Sequence, residues 1–389
     1  MSITTPAGFV AAGLASGIKA SGALALALVA TDDGRPVPTA ATFTRNLACA
    51  APVQVSRAHM GTNGGRAAAV LVSSGNANAA TGDRGRSDAT TMCRLTAEGL
   101  GVVSEEVLVC STGLIGIPLP MDVIEAGIPA VVAARSGGAG AAADAAAGIL
   151  TTDSSRKEAL AAYPGFTVAG MAKGAGMLAP DMATMLAFLT TDAAVDPGAL
   201  ADILRAAVGD SFNAMTVDGC TSTNDTVVLM ASGRAGPGDP TLVADAVTGV
   251  CADLARQMAA DAEGAERIFQ VQVTGARSDG EAHRAARKVA DSLLVKCSVN
   301  GADPYWGRVA SELGSAGVDF DMDRLTIAYG GTIVCRGGVG VPYDRDAVAS
   351  HMAGSLVSIE CGLGLADGTG VVMGVELGYG YIDENRTTS

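Results

Sequence analysis

Fifty-one glycines are scattered through 389 residues with no strict period, and this constrains the architecture more than any other feature. Glycine in the interior of a helix or strand costs about 0.5–1 kcal/mol relative to alanine. That load is more than a helix bundle tolerates, and it points to tight turns and to backbone packed against other backbone or against a ligand. Apolar residues form 49% of the chain but aromatics only 4%, so the core is expected to be built from Ala, Val, Leu, Ile and Met. The length suits two lobes or one large α/β domain with a well-buried interior.

The formal net charge of −14 leaves no basic face to expect and argues against a nucleic-acid partner. The eight cysteines (Cys49, Cys93, Cys110, Cys220, Cys251, Cys297, Cys335 and Cys361) include no CxxC pair and do not read as a disulfide framework. His59, His283 and His351 are scattered, so no metal site and no cofactor is expected. The N-terminal MSITTPAGFV lacks the basic and apolar regions of a signal peptide. The longest uncharged apolar run, 107–121, holds two prolines and is too short to span a bilayer. The expectation is a cytoplasmic enzyme without a membrane partner.

Apolar runs at 22–30 and 67–73 have strand length, and 107–110 reads as a buried strand ending in the turn Ser111-Thr112-Gly113. Residues 87–100 read as a helix capped by Ser87. The Gly/Ala tract 136–148 fits either a helix or a flexible connection. Asp196-Pro197 opens a helix with apolar residues at 200, 203, 204, 207 and 208, another covers 241–258, and Phe269–Val273 alternates with period two. Strands and helices interleave, so the class is α/β or α+β, with no internal repeat.

The densest chemical signal is 170–193. A Gly-rich turn (Gly174-Ala-Gly176) leads through Pro180 to Met182-Ala183-Thr184 and then to an apolar strand beginning at Met185. A threonine after a small residue and a bent loop suits an N→O acyl shift, because its hydroxyl must reach the preceding carbonyl. Cleavage there would leave Thr184 with its own base: an α-amino group titrates near ~8 and accepts the hydroxyl proton. The same residues also suit an ordinary buried strand with a threonine at its edge. The 111–113 turn could supply two oxyanion donors, the Thr112 hydroxyl and the Gly113 N–H, or could simply end a strand. The polar clusters 74–78, 212–218 and 221–225 could line a site for a zwitterion or cap turns. Glu263, before the helix stop Gly264, could be solvated or aimed at an ammonium group, and 301–308 holds the single tryptophan, Trp306.

Together these motifs resemble one family, the glutamate N-acetyltransferase (ornithine acetyltransferase) family of arginine biosynthesis. The match runs nearly end to end: 6–9, 15–18, SSGNANAATG at 73–82, STGLIG at 111–116, TTD at 151–153, KGAGMLAPDMATML at 173–186, FNAMTVDGCTSTNDT at 212–226, EGA at 263–265 and GADPYWGR at 301–308. The resemblance implies autocatalytic cleavage between Ala183 and Thr184, with Thr184 as nucleophile and Thr112 and Gly113 as the oxyanion hole. It implies that Thr151, Lys173, Thr184, Glu263, Asn385 and Ser389 contact the amino-acid substrate, with Thr152 as the alternative to Thr151. The implied fold is an α/β sandwich of sheets and helices similar to the N-terminal-nucleophile hydrolases and the DmpA-type aminopeptidases. Residues 1–183 and 184–389 would be the two chains of an α2β2 assembly. The implied reaction is ping-pong transfer of acetyl from N2-acetyl-L-ornithine to L-glutamate, with acetyl-CoA a further donor in some members. Ala262 and Tyr305 stand where the family has glycine and asparagine, and the tail Asn385–Ser389 lacks the usual tyrosine and is one residue short. Two rival readings are a hydrolase on the same scaffold, with water as acyl acceptor, and an unprocessed binding protein. Lys173 and Glu263 suit a zwitterionic amino acid better than a peptide.

Overall fold

The computed structural model describes residues 2–178 and 185–387. Within them, Phe9–Leu14, Leu26–Thr31, Ala69–Asn76 and Val107–Leu114 form a four-stranded sheet in that order, its last pair parallel. A six-stranded sheet runs Arg66–Ala67, Val37–Phe43, Thr226–Pro237, Leu186–Ala194, Phe166–Lys173, Lys157–Tyr163, with the two middle strands parallel.

The two sheets pack face to face. Val29, Val70, Val72, Leu108 and Cys110 of the first meet Met171, Leu186, Phe188, Val228 and Met230 of the second. Helices Gly82–Leu100 and Met121–Ala134 cover the outer face of the first sheet through Met92, Ile124 and Ile128. Helices Pro197–Asp210 and Pro240–Ala260 cover the outer face of the second through Leu200, Leu204, Val250 and Leu254. Strands covered on both faces carry apolar residues in unbroken runs rather than alternation, and all six residues of Leu26–Thr31 are buried. The result is the expected α/β sandwich, four layers deep.

Small residues set the layer spacing. A Cβ placed on Gly13 would lie 2.0 Å from the Asp144 carbonyl oxygen. The strand therefore touches helix Ala139–Gly148, and the Gly/Ala tract is a helix, small-residued because it packs on backbone. Residues 268–375 form most of a second lobe. A seven-stranded sheet, including Ile268–Ala276, Leu356–Gly362 and Gly368–Val375, packs on helix Asp279–Asp291 through Val271, Val273, Ala285 and Val289.

Some element ends differ from the sequence expectation. The helix expected from residue 87 begins at Gly82, and Ser87 lies inside it. Residues 111–113 are not a turn after a strand but the end of Val107–Leu114, held by pairing of Ser74 with Thr112 and Gly75 with Gly113. The 22–30 run yields a strand only from Leu26, because Gly22 closes a turn back to the Lys19 carbonyl.

Candidate active site

Where the two sheets end on the same side, a cleft of about 600 Å³ opens between them. Gly113 sits at φ +131, and an added Cβ would lie 2.3 Å from the Gly75 carbonyl carbon. Only glycine can occupy that position, so the backbone at Thr112–Gly113 is fixed by the neighbouring strand. Asn224 ties the sheets together at the same level, its Nδ2 donating to the Ala77 oxygen at 2.6 Å and the Ser111 oxygen at 2.8 Å.

Lys173 ends the strand Phe166–Lys173 and is buried. Its Nζ donates to Thr151 Oγ1 at 2.6 Å and Thr112 Oγ1 at 3.4 Å, with Asp153 Oδ2 at 3.8 Å. Burial pushes the ammonium pKa down, and Asp153 is the main opposing charge. Asp153 also accepts from the Gly174 N–H and from Lys157 Nζ, both at 2.7 Å. Burial alone would raise the Asp153 carboxyl, but Lys173, Lys157 and the Gly174 N–H outweigh it and hold it at about 2. Lys157 in turn bonds Asp261, which also receives Ser154 and Ser155.

That cluster has a measurable consequence. A carboxyl held below its unfolded value, near ~3.9, contributes stability above that pH, and the contribution is lost as pH falls toward the folded value. Asp153→Asn leaves the buried Lys173 without its main counter-charge and should lower the unfolding free energy at pH 7 by about 3–5 kcal/mol. It should also flatten the loss of stability between about pH 4 and pH 2. Denaturant unfolding at a series of pH values reads both effects, and a variant as stable as wild type at pH 7 would contradict the assignment.

Glu263 faces the cleft from the opposite side. Its Oε1 accepts from Thr152 Oγ1 at 2.6 Å and its Oε2 from Asn385 Nδ2 at 2.9 Å, while its N–H donates to the Ala175 oxygen at 3.0 Å. A Cβ on Gly176 would lie 2.2 Å from Glu263 Oε2, so the Gly-rich turn is small because a carboxylate rests on it. Asn385 belongs to the helix Tyr379–Asn385, which is held by Tyr381 Oη donating to Asp218 Oδ2 at 3.2 Å. Asp218 also accepts from the Met177 and Leu178 N–H groups at 2.6 and 2.9 Å.

Of the expected site residues, Thr112, Gly113, Thr151, Lys173, Glu263 and Asn385 all line this cleft. Thr151 and Thr152 divide the work: the first bonds Lys173 and the second Glu263. Ala183, Thr184 and Ser389 lie outside the described residues. Beside the chain position that follows Thr184, the Met185 N–H donates to Asp225 Oδ1 at 3.0 Å. Asp225 is fully buried, and burial drives its carboxyl well above the usual range against the pull of that N–H, Ser222, Thr44 and Lys173.

The three polar clusters have different fates. Ser222, Thr223 and Asn224 line the cleft. Residues 74–78 mainly secure loops, with Ser74 on Gly148 and Asn76 on Ile117 and Pro118. From 212–218, Asp218 anchors the C-terminal helix. Trp306 starts a helix in the second lobe and packs against its core. Sequence reasoning missed Lys157 and Asp261, and took Asp153 only as part of a matching triplet; Asp261 lies 104 residues from Lys157, so no local pattern marks their pairing.

The chain is similar to known proteins along nearly its whole length. The sequence profile of the ArgJ family matches residues 10–387. The arginine biosynthesis bifunctional protein ArgJ of Mycolicibacterium paratuberculosis is 46% identical over 395 aligned residues, covering 100% of this chain and 96% of its own. That of Thermobifida fusca is 45% identical, with 100% of both chains covered. A solved ornithine acetyltransferase from Mycobacterium tuberculosis, complexed with ornithine, is 45% identical over 46% of this chain and 94% of its own, at a TM-score of 0.44. A profile that spans nearly the whole sequence, with full-length relatives near half identity, leaves one conclusion: the chain belongs to the ArgJ family.

Proposed function

We propose that this chain transfers acetyl from N2-acetyl-L-ornithine to L-glutamate through an acetyl-threonine on Thr184, freed by self-cleavage after Ala183. As a member of the ArgJ family it is an acyltransferase of arginine biosynthesis. The observation that carries the site assignment is the convergence on one cleft of a buried ammonium, Lys173, a carboxylate, Glu263, and the glycine-locked Thr112–Gly113 strand end.

The chemistry follows from the groups. The Thr184 hydroxyl attacks the acetyl carbonyl, and its proton passes to the Thr184 α-amine. Thr112 Oγ–H and Gly113 N–H face the oxyanion. Collapse breaks the C–N bond, the proton moves to the departing ornithine amine, and the acetyl group stays on Thr184 Oγ. The glutamate amine then attacks that ester by the reverse sequence and regenerates the free hydroxyl. Lys173 holds the carboxylate of the amino acid and Glu263 its positive end, with Thr151, Asn385 and Ser389 completing the contacts. Acetyl-CoA is the candidate second donor to glutamate, as the family resemblance implies for some members. The enzyme is cytoplasmic, and its pieces 1–183 and 184–389 assemble as α2β2.

The test is an assay of the purified protein with acetyl-ornithine, with and without glutamate. Glutamate-dependent consumption of acetyl-ornithine, yielding acetyl-glutamate, is expected. Equal consumption without glutamate, releasing acetate, would identify a hydrolase instead. The same assay with acetyl-CoA and glutamate decides the second donor.

A further inference from the structure

Lys19 lies in the loop between strands Phe9–Leu14 and Leu26–Thr31, and the mechanism above does not use it. Its Nζ donates at 2.8 Å to two carbonyl oxygens, Leu24 and Leu150. Leu150 immediately precedes Thr151, whose hydroxyl accepts from Lys173. Lys19 therefore pins the segment that carries Thr151 just after helix Ala139–Gly148 ends. The aliphatic stem has a second contact: a Cβ placed on Gly75 would lie 3.2 Å from Lys19 Cγ. Gly75 is the residue paired with Gly113. Burial, and after it the Lys173 charge, lower the Lys19 pKa, with Asp153 opposing, so the two ammonium groups and Asp153 form one electrostatic neighbourhood.

We propose that Lys19 is a positioning residue for the amino-acid site: its ammonium fixes Thr151 through the Leu150 carbonyl, and its stem backs the Gly75–Gly113 pair beneath the cleft. An ammonium suits this task because it has three donors and no acceptor. Two of the donors reach carbonyls on separate segments of chain, one in its own loop and one 131 residues away. The inference rests on the reading that Lys173 and Thr151 hold the amino acid.

Head and stem are separable by substitution. Lys19→Met keeps the stem and removes both hydrogen bonds, so KM for acetyl-ornithine should rise about tenfold, equivalent to about 1.4 kcal/mol, with kcat within about twofold. Lys19→Ala also removes the packing on Gly75 and should lower kcat in addition. Lys19→Arg retains a cationic donor and should recover most of the KM. A role confined to stability would lower the melting temperature without this split between KM and kcat and without rescue by arginine. If Lys19→Met does not accumulate as folded protein, Lys19→Gln makes the same comparison. Lys173→Met, measured alongside, separates the two levels. An unchanged KM in Lys173→Met overturns the amino-acid-site reading itself. A raised KM in Lys173→Met with an unchanged KM in Lys19→Met, or equal kinetics in the methionine and arginine variants, overturns the positioning role alone.

Discussion

We expect Thr184→Ala to remain one intact chain of 38.5 kDa with no measurable acetyl transfer, while the wild-type protein runs as two fragments of similar size on a denaturing gel. One hydroxyl is needed twice, first for the acyl shift that breaks the Ala183–Thr184 bond and then for attack on the acetyl donor, so a single substitution removes both events. A threonine without a histidine partner is a poor nucleophile until cleavage supplies an α-amine with a pKa near ~8. N-terminal sequencing of the C-terminal fragment should read Thr-Met-Leu-Ala-Phe. Thr184→Ser keeps a hydroxyl and should cleave slowly. Wild-type protein that transfers acetyl groups as a single chain, or Thr184→Ala protein that still splits at this bond, would move the nucleophile elsewhere.

Thr112→Ala should lower kcat by about 10²–10³, the usual cost of one oxyanion donor, while the melting temperature stays close to wild type. The hydrogen-bond geometry supports a donor role. Lys173 Nζ donates to Thr112 Oγ1, and an ammonium accepts nothing, so the hydroxyl hydrogen of Thr112 is left to point elsewhere. Thr112→Ser, which keeps the hydroxyl, should retain most of the rate. Near-normal turnover in Thr112→Ala would remove Thr112 from the oxyanion site.

Much of the architecture is legible because burial writes itself into composition. Doubly covered strand segments such as 26–30 and 186–189 appear as continuous apolar runs, and the Pro240–Ala260 helix shows its apolar stripe at 243, 247, 250 and 254. The cleft-lining glycines and threonines were accessible through motifs. Periodicity, however, reports which face of an element is buried and not what it is buried against. Nothing local in Leu150-Thr151-Thr152-Asp153 says that its two threonines turn toward different charges, nor that Lys19 reaches Leu150 across 131 residues. The Gly/Ala tract stayed ambiguous for a similar reason: its helix is fixed by contact with Gly13, a partner far away in sequence.

The strand order of the six-stranded sheet bears on what a cut after residue 183 does to the molecule. The two middle strands, Thr226–Pro237 and Leu186–Ala194, come from the later part of the chain, and both are flanked by strands from the earlier part: Val37–Phe43 on one side and Phe166–Lys173 on the other. Severing the backbone there removes one covalent link and none of these ladders. The two products are interleaved like the fingers of clasped hands, and the layer between the sheets takes residues from both, Val70 and Leu108 from one and Phe188 and Val228 from the other. Separation therefore requires the six-stranded sheet to come apart, and neither product made alone should form that sheet.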